Sequence, residues 1–398
     1  MNYKERMYHI PYGRQEVIQS DIDSVIEVLK SSNLTQGPIV PKFENSIAKE
    51  VDSRFAIAVN SATSALHLAC RALSLSFNDW LWTSPNSFVA SANCGIYCGA
   101  KVDFVDIDLK TGLISVPLLE EKLRKADTEG KLPKIIVLVH LAGTSCEMRK
   151  INKLSHKYGF KIIEDASHAL GGKYDNKSVG SCQYSSICVF SFHPVKIITT
   201  GEGGCLTTNN ESIAEKLYDL RSHGIIKDNS RFISKSYDPW SYEQQDIGYN
   251  YRMTDIQAAL GLSQIKRLDS IIHKRNIILK NYIQFTKDLP VYFLEIPKNV
   301  RSSVHLAVMN LINPDIKLHR DLFNHLRINN IGVQIHYIPI HLQPFYKKFG
   351  FQKGDFPNSE IYSNNAISLP VFPNLDKISQ TKIIEIISSF INNKQIGA

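Results

Sequence analysis

Between residues 55 and 221, short runs that are apolar at all or nearly all positions alternate with longer stretches that are apolar on one helical face only. The runs cover 55–59, 102–105, 135–139, 160–163 and 187–192, and the helical patterns 63–75, 88–98, 116–125, 149–158 and 212–221. Runs apolar throughout suit strands covered on both faces, so the pattern predicts a mostly parallel α/β sheet. Ahead of it, Ile22, Val25, Ile26 and Leu29 share one face of a helix over 21–31, with Ser20 or Asp21 as its cap. Leu34-Thr35-Gln36-Gly37-Pro38 breaks the chain, and Val40, Phe43, Ile47 and Val51 mark a second amphipathic helix. Residues 228–245, with Pro239, Trp240 and Tyr242, form a polar and aromatic excursion. Thr254 then caps a long helical pattern running toward Tyr282, a bridge into a second unit. There 304–311, 318–329, 333–337 and 377–390 give a small α/β domain. The expected division is a large domain over 1–266 and a small C-terminal one over 267–398.

Composition narrows the class. At 398 residues, 43% hydrophobic and 21% charged, the chain is an ordinary globular protein too long for one small core. No apolar run approaches the roughly 20 residues that span a bilayer. The start, MNYKERMYHIPYG, has charges but no apolar stretch of a leader, so no signal is expected and a cytoplasmic location is. The seven cysteines are odd in number and scattered, which suits buried thiols in a reducing compartment. Cys94 and Cys98 lie one helical turn apart, but no second pair stands at finger-like spacing, and no metal is expected. The net charge of +8 is spread without a basic block, so a phosphorylated small molecule accounts for it better than nucleic acid does.

Three stretches carry candidate chemistry. Lys196 follows the apolar run 187–192 and precedes a Gly/Thr-rich turn, so it leaves a buried strand into an enclosed space. Burial there lowers an amine's pKa toward what attack on a carbonyl requires. Asn60-Ser61-Ala62-Thr63-Ser64 is a polar strand-to-helix turn whose free N–H groups make an anion site. Glu164-Asp165 closes an apolar strand at the edge where α/β proteins place ligands, and Asp165 is the choice for holding a proton on a ring nitrogen. Singly, each also reads as a loop lysine, a helix cap or a pair of loop acids. Together on one sheet they are the parts that pyridoxal 5'-phosphate (PLP) requires: an anion cradle, a partner for the pyridinium nitrogen and an amine for the aldehyde.

NSATSALHLA, EDASHALGGKY, SFHPVKIITTGEGG, LRSHG and GYNYRMTDIQAALGLSQIKRLD resemble motifs of the DegT/StrS-type nucleotide-sugar aminotransferases, and the resemblance covers nearly the whole chain. LTQGP, SPNSFVASAN, DPWSYEQQ and QIHYIPIH look most like the branch serving pseudaminic acid. The resemblance implies the aspartate aminotransferase-type fold (fold type I), working as a homodimer with active sites at the subunit interface. It implies Lys196 as the Schiff-base lysine and proton shuttle, Asp165 at the ring nitrogen and Phe88 stacked on the ring. Ala62, Thr63 and Ser191 would bind the phosphate, His168 would lie near the 3-hydroxyl, and Asn250 would reach the neighbouring subunit's cofactor. Arg221, His223, Arg252, His336 and Tyr337 are candidates for the carboxylate of L-glutamate or for a UDP-sugar, each with an equally ordinary structural reading.

The implied reaction moves an amino group from L-glutamate to the C-4 ketone of a UDP-linked 4-keto-6-deoxy-N-acetyl-hexosamine, giving UDP-4-amino-4,6-dideoxy-N-acetyl-β-L-altrosamine. Another nucleotide-linked keto sugar is the alternative, and a non-catalytic regulator is a further one. Leu141-Ala142-Gly143 departs from the family, where many members carry tyrosine in place of Ala142. His336 and His341 have a spacing that favours a metal little, and His193 reads as a turn residue.

Overall fold

The structure is a computed structural model that describes residues 10–235 and 237–396; residues 1–9, within the stretch read for a leader, lie outside them. Seven strands make the central sheet. They are β1 (Phe55–Val59), β2 (Trp80–Thr83), β3 (Lys101–Phe104), β4 (Ile135–Val139), β5 (Lys161–Asp165), β6 (Ile187–Ser191) and β7 (Gly204–Thr208). Their order is β1-β7-β6-β5-β4-β2-β3. β7 runs antiparallel to both neighbours, and the other pairs are parallel.

The apolar runs have the predicted cause. β4 reads Ile-Ile-Val-Leu-Val and is buried at all five positions. Side chains alternate along a strand, so Ile135 and Val137 join one core with α3 (Ala62–Ala72) and α7 (Glu211–Arg221). Ile136 and Leu138 join another with α5 (Val116–Glu129) and α6 (Met148–Tyr158). α1 (Gln19–Leu29), α2 (Ile39–Val51), α4 (Ala90–Tyr97) and α8 (Asp255–Gln264) complete the large layer. A separate apolar core joins β8 (Val291–Phe293), β9 (Ala307–Leu311) and β10 (Ala366–Leu369) to α9 (Leu268–Phe285), α10 (Ile316–Ile328) and α11 (Lys377–Ile396).

Four expectations change. Residues 204–208, of which Gly204 closes the Gly/Thr-rich turn in the sequence reading, are the antiparallel strand β7. The helix expected from Thr254 to Tyr282 breaks into α8 and α9 at a 3-10 turn, Ile265–Arg267, where Gln264 and Arg267 are tied to Asp21. Residues 333–337 hold only an isolated bridge, Gln334 to Ser368, and β9 starts at Ala307, because 303–306 is clamped to the carbonyls of Ala142 and Gly143. Of the two expected caps of α1, Asp21 serves, reaching back to the Ile18 N–H at 3.0 Å, and what changes is the helix's buried face. Asp21 and Val28 are the buried face of that helix, so Ile22, Ile26 and Leu29 remain 44%, 39% and 55% exposed. The excursion is closed at its base by Ile225–Ile226 pairing with Glu243–Gln244, and Trp240 stands on its surface.

Candidate active site

β1, β2, β4, β5 and β6 end on the same sheet edge, and β7 begins there. The turns after those strands enclose a cavity of about 800 Å³, lined by Ala62, Thr63, Phe88, Asp165, His168, Ser191, Lys196, His336 and Tyr337, among others. Nine of the thirteen sequence candidates therefore meet in one place. Arg221, His223, Arg252 and Asn250 do not line it. The Arg221 guanidinium is held by Glu44 Oε1 at 2.5 Å and the Ala58 carbonyl at 2.7 Å. His223 and Asn250 are exposed on the chain flanking the excursion, and Arg252 bridges through its backbone to Val59.

The anion cradle follows from helix geometry. Ser61 caps α3 by accepting the Ser64 N–H at 3.1 Å. The N–H groups of Ala62 and Thr63 have no acceptor among the described residues, and both residues face the cavity with Ser191. β7 passes close to this helix end: a Cβ on Gly204 would fall 2.6 Å from Ala62 N, so only glycine fits. Two free backbone donors at a helix N-terminus, with a serine hydroxyl beside them, suit a phosphate.

Adjacent carboxylates are sorted by the period of the strand. Glu164 points to the opposite face, where His140 Nε2 lies at 2.7 Å and Ser185 donates at 2.5 Å. Asp165 faces the cavity; Ser91 donates to its Oδ2 at 2.6 Å and the Ser167 N–H to its Oδ1 at 3.2 Å.

After β6 the chain turns sharply, with Lys196 N–H bonded to the His193 carbonyl at 2.9 Å and the Thr200 N–H returning to the Phe192 carbonyl at 3.0 Å. Phe192 is fully buried against Phe43, which anchors the loop. Lys196 lies deep but opens on the cavity, so part of its side chain stays accessible. Burial pushes its pKa down to about 8, while Asp165 acts in the opposite sense. No other lysine or arginine lines the cavity among the described residues.

Sequence reasoning missed Tyr12, His305, Ser87 and Ser91, and took His193 only for a turn residue although it also lines the cavity. His305 arrives through the Leu141–Gly143 turn, because its N–H donates to the Ala142 carbonyl at 2.8 Å. Gly143 has φ +96°, and a Cβ there would fall 2.9 Å from the His168 carbonyl oxygen. The turn that departs from the family thus seats His305 against His168, with ring centroids 4.3 Å apart. The His168 Nε2 meets the Tyr337 hydroxyl at 3.3 Å, and His336 Nδ1 meets the Ser368 hydroxyl at 2.9 Å. His341 is bound to Glu360 instead, and no group of three or more metal-ligating side chains occurs among the described residues.

Burial pushes the pKa of His336 down to about 3, and those of His168 and His305 well below the usual range. At these three imidazoles the unfolded chain therefore binds more protons than the native one between pH 3 and 6.5, and their contribution to stability rises with pH across that window. Lowering the pH of the apo-protein from 6.5 to 5 is expected to cost up to about 2 kcal/mol per imidazole, read as a fall in Tm. His336→Asn should shallow the slope; a Tm that is flat over this range would contradict the assignment.

A cradle for one phosphate, a strand-end carboxylate and a single buried amine, on this sheet, define a fold type I PLP enzyme. The DegT/DnrJ/EryC1/StrS aminotransferase family matches residues 15–388, and the chain belongs to it: it is a PLP-dependent sugar aminotransferase. It is 40% identical to the UDP-4-amino-4,6-dideoxy-N-acetyl-beta-L-altrosamine transaminase of Campylobacter jejuni over 340 residues, 85% of this chain and 86% of that one. Helicobacter pylori PseC, an aminotransferase involved in the biosynthesis of pseudoaminic acid, superposes with a TM-score of 0.88 at 32% identity, covering 96% of this chain and 99% of that one. The PLP-form of a putative sugar aminotransferase from Streptococcus pneumoniae gives 0.87 at 26% identity over 97% of this chain and 99% of that one. No helix among the described residues is long and apolar enough to cross a membrane.

Proposed function

We propose that the protein transfers the amino group of L-glutamate to the C-4 ketone of a UDP-linked 4-keto-6-deoxy-N-acetyl-hexosamine, giving UDP-4-amino-4,6-dideoxy-N-acetyl-β-L-altrosamine for pseudaminic acid. The substrate rests on the Campylobacter relative. The observation in this chain that carries the reading is the set of aromatic and imidazole rings that share the cavity with the cradle. Tyr12, His305, His336 and Tyr337 line it as neutral rings with hydrogen-bonding groups, which suit sugar hydroxyls and a ketone oxygen.

Bound PLP supplies an electron sink conjugated to the reacting carbon. Ala62 and Thr63, through their N–H groups, and Ser191, through its hydroxyl, would hold the phosphate. Asp165 would hold the ring nitrogen's proton, Phe88, a residue 58% exposed, would cover the ring, and His168 would approach the 3-hydroxyl. Lys196 Nζ takes the proton from the donor's α-carbon, for which a base near pH 8 is well matched.

The protein works as a cytoplasmic homodimer in this reading. The exposed stripe Ile22, Ile26 and Leu29 supports a second copy, as does the position of Asn250 outside its own chain's cavity, free to serve a neighbour's cofactor. The core of β8–β10 and α9–α11 supports a second, smaller unit, which takes up α9 from Ile278 onward, while Leu268, Ile271 and Ile272 still pack with α2 and α8; the division at residues 266 and 267 is kept as the proposed one. Incubation with PLP, L-glutamate and UDP-4-keto-6-deoxy-N-acetyl-hexosamines of both ring configurations, followed by NMR of the product, tests the substrate. The L-altro 4-amine is expected; amination of the other configuration alone, or of neither, would overturn the reading, and sedimentation as a single chain would remove Asn250 from it.

A further inference from the structure

We propose that Ser87 and Ser91 form a two-hydroxyl relay that fixes the orientation of the Asp165 carboxylate at the cavity floor, which makes Ser91 a positioning residue for the aminotransferase reaction. The relay is short and buried. Ser87 and Ser91 are buried, with Oγ atoms 2.8 Å apart, and Ser91 Oγ lies 2.6 Å from Asp165 Oδ2.

Its direction follows from the donor inventory. An ionised carboxylate only accepts, so the single Ser91 proton points to Asp165. The Ser91 oxygen can then only accept, and Ser87 must be the donor to it. The other carboxylate oxygen takes the Ser167 N–H at 3.2 Å. Asp165 is therefore gripped at both oxygens from two separate segments, the start of α4 and the turn after its own strand, and its rotation is fixed.

The local sequence explains why these two serines share a target. Residues 87 and 91 are four apart at the entry to α4, where the Ser91 N–H donates to the Phe88 carbonyl at 3.2 Å and the Asn93 N–H to the Val89 carbonyl at 2.8 Å. Side chains four apart stack on one side of a first turn. Phe88, between them, opens on the cavity with an exposed ring. One turn of chain delivers both an aromatic face to the cavity and the hydroxyls beneath it, so ring-covering group and ring-nitrogen partner are set by the same five residues. Cys94 Sγ, 3.3 Å from the Ser91 carbonyl, pins that turn from behind.

The inference rests on the PLP site, not on the identity of the sugar, and its test uses no sugar. Apo-protein is titrated with PLP by visible absorbance, and the pH midpoint of the bound cofactor's band is recorded. Ser91→Ala is expected to raise the Kd for PLP by about 10-fold or more, the scale on which removing an outer partner weakens a bound group, and to move the midpoint. Ser91→Thr, which keeps the hydroxyl, should restore both. Ser87→Ala, one bond further away, should show a smaller change of the same sign. A Ser91→Ala protein with wild-type Kd and midpoint, whatever its Tm, would overturn the relay, as would a Ser91→Thr protein no better than alanine. Wild-type failure to bind PLP would instead refute the cofactor assignment, so the two failures are told apart.

Discussion

Lys196→Ala is expected to lower kcat by about 10⁴-fold or more, and its apo-protein to melt no lower than the wild type at pH 7. The size of the first effect follows from the cavity's contents. Lys196 is the only amine on its wall among the described residues, and the nearby imidazoles of His168, His305 and His336 are held neutral by burial. No second amine lines the cavity among the described residues to take its place. The second effect follows from the sign of its pKa shift. Folding depresses the amine from its ordinary 10.5 to about 8, so below pH 8 the native state carries a charge that burial disfavours. Stability is regained only as pH rises from about 8 toward 10.5, and replacing the lysine removes that cost at pH 7. Pyridoxamine phosphate should still bind, because the N–H groups of Ala62 and Thr63 are backbone and untouched. Stopped-flow turnover, differential scanning of the apo-protein and a pyridoxamine phosphate titration check the three parts. Residual turnover within tenfold of wild type would remove Lys196 from its role.

What could be read from the sequence was the part that local chemistry decides. β1 and β4 fall on the apolar runs at 55–59 and 135–139, because a strand buried on both faces leaves no polar position to blur its ends. The edge residues were legible for a related reason: polar side chains directly after such runs mark where strands stop and ligands bind. What failed depended on distant partners. β7 is a strand because β1 and β6 flank it, and its Gly-Cys-Leu-Thr-Thr resembles a turn until they do. The apolar face of α1 was expected to be buried, yet Asp21 turns the other way to meet Arg267, Ser263 and Gln264. His305 and Tyr12 come from opposite ends of the chain and carry no local sign of a shared cavity. The spacing of Ser87 and Ser91 was visible, but their target is 74 residues from Ser91.

The same strand alternation gives the second large expectation. Asp165→Asn, which keeps the size and removes the charge, should lower kcat/KM by about 10³-fold, the scale on which losing one preorganised electrostatic partner slows a reaction. The Ser91 hydroxyl can still bond the amide oxygen, so the fold has no reason to yield and Tm should stay near the wild-type value. Glu164→Gln, one residue earlier, should behave the opposite way. Its side chain faces the other side of the sheet, enclosed with His140 and Ser185. Replacing it leaves a buried histidine without its anion, which costs about 3 kcal/mol of stability and little activity at a temperature where the protein remains folded. Two neighbouring carboxylates would thus separate cleanly, one moving kcat/KM and the other Tm. Equal loss of activity in both variants, with Tm unchanged, would mean that strand alternation does not sort them and that Glu164 also acts at the cavity.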